Sequence, residues 1–257
     1  MDVTISADRV LRASAAWISR WFPDHSVHTD LGWLEYYLLE GTATIMRVSP
    51  GEMTAAELVP RVLTELWRQQ ATTVHWLVGP RYSPASVDQV LLDLGASVHE
   101  TVDICAYSLD RAIPASPLAQ DASARPVRTR DDVAQFASTS ALAWGYPPPS
   151  EADIDRAFAG STEGHFIGYW QQVPAGAGGY GLVEDVARFW GTAVIPEFRG
   201  RGVYRALVHA RMTDAKARGA RLALVHAREK TSSPILQRLG FTVYGQQKVW
   251  SITPTPT

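Results

Sequence analysis

The chain has 257 residues, 46% of them hydrophobic, and its 24 basic and 26 acidic side chains give a formal net charge of −2. That length and apolar content exclude a disordered chain and leave room for one large domain or two ordinary ones. The balanced charge gives no general footing for nucleic acid, and no apolar run is long enough to span a bilayer.

The N-terminal stretch "MDVTISADRV" lacks the basic-then-apolar pattern of an export signal, so a cytoplasmic protein with no membrane partner is expected. The first half then runs from "VSP", ending at Pro50, into a helical stretch "AAELVPRVLTELWRQQ", a strand "VHWLVG", a helix "ASVDQVLLDLGA" and a strand "VDICAYSL". The single Cys105 lies in that last strand, where a buried, inert thiol is expected. Residues 111–126, "RAIPASPLAQDASARP", are rich in Pro, Ala and Ser and carry no periodicity, which reads as a connector.

Beyond it, "PVRTRDDVAQFASTSALAWG" reads as a short strand and a helix. The segments "HFIGYW", "GGYGLVEDVARFWGTAVIP" and "ARLALVHA" are β-rich, and a helix "SSPILQRLGF" precedes a last strand "YGQQKVWSI". The two halves echo each other: Pro50 to Gly95 is 45 positions and Pro196 to Gly240 is 44. The expectation is an α/β (α+β) chain of two related units, each a mixed, mostly antiparallel sheet flanked by helices. The division is placed as a first domain over 1–115, a linker over 116–124 and a second domain over 125–257.

One segment carries chemistry. "RGRGVY", residues 199–204, joins a strand to a helix. Amides of a first helical turn lack intrahelical partners and the helix dipole adds positive charge, so the turn favours an anion. Gly200 and Gly202 allow close approach of the backbone, and Arg199 and Arg201 add cationic donors. A glycine turn alone is also a plain connector.

The context "AVIPEFRGRGVYRAL", followed by "SPILQRLGF", resembles the two most recognisable segments of the GCN5-related N-acetyltransferase (GNAT) superfamily. The family loop reads Gln or Arg, two residues, Gly, one residue, then Gly or Ala; Arg199, Gly202 and Tyr204 fill those places, the last a departure. The resemblance spans about residues 125–255. It implies acetyl-CoA or a related acyl-CoA as co-substrate and no metal, with cofactor contacts from Thr192, Ala193, Val194, Arg199, Gly200, Arg201, Gly202, Val203 and Tyr204. It implies, too, that the strand before the loop and "LALVHA" part to admit the acyl group, with a backbone amide near Val194 polarising its carbonyl.

The first half has no such loop. "GEMTAAELV" follows its Pro50, with Glu52 and Glu57 near the places of the arginines, and a carboxylate there repels a pyrophosphate. By the resemblance it is a degenerate copy without CoA binding. The family's usual acid is replaced by Leu236, and the neighbourhood of its usual carboxylate base, Arg188 to Gly191, contains no acid. Glu184, His226 and Tyr244 are the substitutes considered, each with a structural role as the alternative.

The segment Trp144 to Pro149 falls where the family lines its acceptor site. With Tyr169, Trp170, Tyr180 and Trp190 it points to a small or amino-acid-like amine. The reading is an acyl-CoA-dependent N-acyltransferase acting on a small-molecule amine by direct attack in a ternary complex. A non-catalytic acyl-CoA sensor, a partner-binding module and another CoA-linked reaction stay open.

Overall fold

The computed structural model describes residues 5–18, 26–114, 120–160 and 162–254. Its chain order is α1 (Ala7–Ala15), β1 (Val27–Asp30), β2 (Leu34–Leu39), β3 (Thr42–Val48), α2 (Ala55–Arg68), β4 (Thr73–Val78), α3 (Val87–Asp93) and β5 (Ser97–Ser108). There follow β6 (Ala122–Pro126), α4 (Arg130–Trp144), α5 (Glu151–Ala159), β7 (His165–Trp170), β8 (Val173–Val183), β9 (Val186–Val194), α6 (Val203–Ala217), β10 (Leu222–Arg228), α7 (Ser232–Arg238) and β11 (Thr242–Ile252). No described helix is long and apolar enough to cross a membrane.

Two compact units form, one built on residues 6–104 and the other on 105–226. In the first, β1, β2 and β3 pair antiparallel, β3 and β4 run parallel, and β4 pairs antiparallel with β11. The β2–β3 turn places Glu40 and Gly41 both at positive φ (48° and 78°), the geometry a two-residue hairpin requires. Leu58, Val59, Val62, Leu63 and Leu66 form the buried stripe of α2, spaced to face one core together with Leu34, Val74 and Trp76.

In the second unit β6, β7, β8 and β9 pair antiparallel and β9 runs parallel to β10, so both units carry an antiparallel run ending in one parallel step. The β7–β8 turn again has two positive-φ residues, Gln171 and Gln172. Thr129 caps α4 through a reciprocal capping box with Asp132, and Ser150 caps α5 in the same way with Asp153. A Cβ at Gly168 would stand 2.7 Å from Val203 and 2.9 Å from Leu207, so glycine there lets α6 lie against the sheet.

The units do not follow the expected division of the chain. Residues 227–231 and 243–254 group with the first unit, and residues 105–114, expected in the first domain, group with the second. The reason is pairing: β11, last in sequence, hydrogen-bonds to β4, with Trp250 opposite Trp76. Of the expected 116–124 linker, residues 116–119 lie outside the described residues, and β6 already begins at Ala122. Cys105 is fully buried, as expected of an inert thiol, with its Sγ 3.6 Å from the Ser233 hydroxyl.

Candidate functional site

The turn between β9 and α6 is shaped by its glycines. A short 3-10 turn, Pro196–Phe198, follows β9; Gly200 then sits at φ +77° and Gly202 caps α6 at φ +88°. A Cβ on Gly200 would meet nothing within 4 Å, so the backbone there faces open space. Ala206 N–H reaches the Gly202 carbonyl at 3.0 Å; among the described residues the amides from Gly200 to Arg205 make no backbone hydrogen bond. These are the donors that an anion at a helix start uses. The turn therefore fits a phosphate group.

Beside the turn, the sheet opens. The parallel register of β9 and β10 runs from Val186↔Leu222 to Phe189↔Val225 and stops there, although β9 continues to Val194 and β10 to Arg228. On its other side β9 stays paired with β8 as far as Gly176↔Val194. Ile195 N–H donates to Ala175 C=O at 2.9 Å, which makes Ile195 and Ala175 a hydrogen-bonded pair and Val194 opposite Gly176 a non-hydrogen-bonded one. By the alternation of an antiparallel ladder, Val194 turns its N–H and C=O away from β8, into the opening, while Ala193 turns its own toward β8. Small residues make this tight packing possible. A Cβ on Gly178 would lie 2.9 Å from Thr192 Oγ1, and one on Gly179 would lie 2.4 Å from the Trp190 ring.

The two faces of β9 differ. Phe189 lies under Arg211 of α6 (4.6 Å to the ring centroid), so Arg188 and Trp190 point to the opposite face. There the Trp190 ring meets His165 edge-on at 4.9 Å, and His165 meets Phe136 of α4 at 5.0 Å. Burial pushes the His165 imidazole below its usual value. On β10, His226 stands two residues past Leu224, the partner of Arg188. Burial, and then the Arg188 charge, lower its pKa to about 4, so it is neutral near pH 7. Burial also lowers the Arg188 pKa, while Glu184 pulls it back up.

Comparison with known proteins bears on this arrangement. Residues 131–241 match the family described as Acetyltransferase (GNAT) family. That stretch is a GNAT domain. It holds α4 through α7, the glycine turn and the parted strands. No curated protein matches the chain. Among solved structures, a GCN5-related N-acetyltransferase from Sphaerobacter thermophilus superposes with a TM-score of 0.67 at 17% identity, covering 87% of this chain and 78% of that one. Another from Kribbella flavida gives 0.62 at 17% identity over 97% and 96%. A tandem GNAT protein from the clavulanic acid biosynthesis pathway gives 0.60 at 18% identity over 96% and 88%. At these identities the likeness is one of fold, a mixed and mostly antiparallel α/β sheet flanked by helices.

Within the GNAT domain, the expected cofactor residues fall into three groups. Gly200, Gly202, Val203 and Tyr204 present the open turn, and Thr192 and Val194 border the cleft. Ala193 does not offer its backbone there, because its polar groups serve β8. Arg199 is turned back onto its own strand, with Nε donating to Val194 C=O at 3.1 Å. It fixes the strand end to the turn. Arg201 lies near the Trp170 and Phe198 rings, 5.6 Å from each centroid, in a position open to solvent. The Tyr204 side chain is half-buried and hydrogen-bonded to Ser232 at the start of α7; burial pushes its hydroxyl above the usual phenol value.

The proposed catalytic residues lie on three different elements. Glu184 occupies the β8–β9 turn at φ 53°, eight residues before Thr192. β9 begins at Val186, and its six steps to Thr192 at ~3.3 Å each put roughly 20 Å of strand between this turn and Thr192. Tyr244 lies on β11 and belongs to the other unit. His226 alone of the three lies on a strand that borders the opening. Of the expected acceptor aromatics, Tyr180 turns to α6, where its hydroxyl bonds to Asp214, and Tyr169 is 2% exposed with its hydroxyl on Gln135. These two are core residues, whereas Trp190 stays on the cleft face. Trp144 and Tyr146 are exposed, at 38% each.

Sequence reasoning had passed over Arg188, noting only that no acid stands there. The available signal was a lone charge inside the apolar strand "VARFWGTAV". In the first unit, the helix start that follows Pro50 is already occupied. The Glu57 carboxylate accepts from Thr54 N–H at 2.9 Å and from Thr54 Oγ1 at 2.8 Å.

Proposed function

We propose that the protein is an acyl-CoA-dependent N-acyltransferase that moves an acetyl group from acetyl-CoA to a primary amine of a small acceptor, by direct attack in a ternary complex. The observation that carries this reading is the parting of β9 from β10 beside a glycine turn with unpaired amides. The turn has the donors for a pyrophosphate, and the parted strands leave room for a thioester between them. The Val194 N–H, aimed into the opening, is the donor for the charge that develops on the thioester oxygen; such a donor contributes roughly 10²-fold or more in rate.

In the reaction the neutral amine nitrogen attacks the thioester carbon, the C–S bond breaks, and the proton lost by nitrogen goes to solvent or to the departing thiolate. With its pKa lowered to about 4, His226 accepts a proton only transiently. It acts as a relay rather than a store. We assign the first unit as a degenerate GNAT copy, because its Thr54–Glu57 capping box places a carboxylate where the second unit leaves amides open. The chain is then a tandem of one CoA-binding and one non-binding unit. In the cell we place it in the cytoplasm, with no metal requirement.

The experiment is turnover. Purified protein, acetyl-CoA and a panel of small primary amines should release free CoA above the hydrolytic background. A protein that binds acetyl-CoA but acetylates no amine would instead be an acyl-CoA sensor, a reading favoured by the absence of any carboxylate in β9.

A further inference from the structure

The first unit, whose helix start is filled by the Thr54–Glu57 capping box, holds a cavity of its own. About 310 Å³ of space lies at the carboxyl end of β4, between the 79–86 loop and β11. The carboxyl ends of strands are where ligands bind in open α/β sheets. In the antiparallel pairing of β4 with β11, Val78 stands opposite Lys248 and Trp76 opposite Trp250, so these four side chains share one face of the sheet. That face and α3 give the cavity an apolar floor, with Val78, Val87 and Trp250 all buried. The loop over it contains Pro80 and Pro84, and Arg81 and Ser86 hold positive φ (65° and 68°) without being glycine, a backbone that persists only where its surroundings fix it.

The polar groups around this floor fall into two sets. Some already have partners: Arg81 is bound to Asp8 of α1, and the Gln246 amide donates to Asp103 at 2.9 Å and to Glu229 at 3.1 Å. Others do not. Among the described residues the Lys248 ammonium makes no ion pair and no hydrogen bond, and it stands 5.7 Å from the Trp250 ring centroid. Asp88 accepts the Gln89 N–H at 3.0 Å and has no cationic partner among the described residues. The Tyr82 hydroxyl accepts from Trp76 Nε1 at 2.8 Å, which leaves its own proton to donate. Lys248 and Asp88 line the same cavity, from β11 and from α3, and do not pair with each other. Opposite charges held apart around one space suit a ligand that carries both.

We propose that this cavity binds a free apolar α-amino acid as its zwitterion. Lys248 and the Tyr82 hydroxyl take the carboxylate, Asp88 takes the ammonium, and the side chain lies on Val78, Val87 and Trp250. Such a ligand brings no net charge into a half-enclosed space, and each of its ends gains a charge-assisted hydrogen bond. An apolar floor with a few polar groups that fix orientation is the usual form of a small-molecule site, and 310 Å³ is within the usual size. The site lies wholly in the first unit and does not depend on acyl transfer by the second.

The test is calorimetric and uses the whole chain. Alanine, valine, leucine, methionine and phenylalanine are each titrated beside two derivatives, the primary amide, which lacks the carboxylate, and the N-acetyl acid, which lacks the ammonium. At least one amino acid should bind about tenfold or more tighter than both of its derivatives. Lys248→Met should bring amino acid and amide to equal affinity while the preference over the N-acetyl acid remains. Asp88→Asn should do the reverse. Both side chains are exposed, so both variants should melt close to the wild type and bind acetyl-CoA as it does. Binding of none of the five, binding no tighter than that of a derivative, or preferences that survive both substitutions would overturn the proposal; the last would place the amino acid elsewhere on the chain. Failure of acetyl-CoA to bind would strike the acyl-CoA reading alone.

Discussion

Replacing Gly200 by alanine separates what the glycine turn does for folding from what it does for a ligand. Gly200 sits at φ +77° with open space where a Cβ would go, so alanine meets no clash and pays only for a left-handed backbone, about 1–2 kcal/mol. For a chain of this size that lowers the melting temperature by roughly 2–4 °C per kcal/mol. Gly219, just past the other end of α6, offers a matched control, with φ +90° and the same open space. It stands at the far end of a 15-residue helix, about 22 Å away. Both variants should therefore lose similar stability. Only Gly200→Ala should lose acetyl-CoA affinity, by about tenfold to a hundredfold, because its methyl group projects where the phosphate meets the amides and one charge-assisted hydrogen bond contributes ~1.5–3 kcal/mol. Chemical denaturation and calorimetry measure the two effects. Wild-type affinity in Gly200→Ala, or an equal loss in Gly219→Ala, would refute the assignment of the turn as a phosphate seat.

Other outcomes follow from the same geometry. His226 titrates near 4 when folded and near ~6.5 when unfolded, so between these values the unfolded chain holds the extra proton and stability rises with pH. Its contribution is full above pH ~6.5 and disappears as the pH falls through 4, a change on the order of 3 kcal/mol; thermal melts from pH 7.5 to 4.5 should steepen for the wild type and flatten for His226→Gln, and identical slopes would refute it. Gly179→Ala should destabilise by about 1–3 kcal/mol, since its Cβ would stand 2.4 Å from the Trp190 ring, whereas Gly181→Ala should be near neutral in the same denaturation assay. Glu184→Gln should leave kcat within about twofold of the wild type, given roughly 20 Å of strand between that turn and Thr192. A large fall in kcat would return Glu184 to the reaction.

Much of the second unit was legible because its signals are local. The β-rich runs "HFIGYW" and "ARLALVHA" and the glycines of "RGRG" each act within a few positions, and much of the order of strands and helices from β6 to β11 follows from them. The pairing of β11 with β4 was not legible, because a strand's sequence fixes which faces it buries and not which distant strand it joins. The halves do echo each other in their turns and in their one parallel step, yet each compact unit is completed by residues from the other half of the chain.

The site divides along the same line. The glycine turn was readable from spacing, but side-chain direction was not weighed residue by residue. Counting strand residues sets the Glu184 turn roughly 20 Å of strand from Thr192. Strict alternation, checked against α6, would have sent Phe189 to one face of β9 and Arg188 and Trp190 to the other. Arg199 shows the limit of a motif: its charge suggested a ligand contact, and its Nε instead holds the Val194 carbonyl that ends the strand.

The most direct test of the central claim is a pair of titrations of the wild-type protein, one with acetyl-CoA and one with acetyl-pantetheine, which shares the thioester and lacks the diphosphate. Binding of acetyl-CoA at least about a hundredfold tighter than acetyl-pantetheine is the predicted result, because the turn between β9 and α6 supplies its amides to the diphosphate. Equal affinity for the two, or no binding of acetyl-CoA, would contradict it.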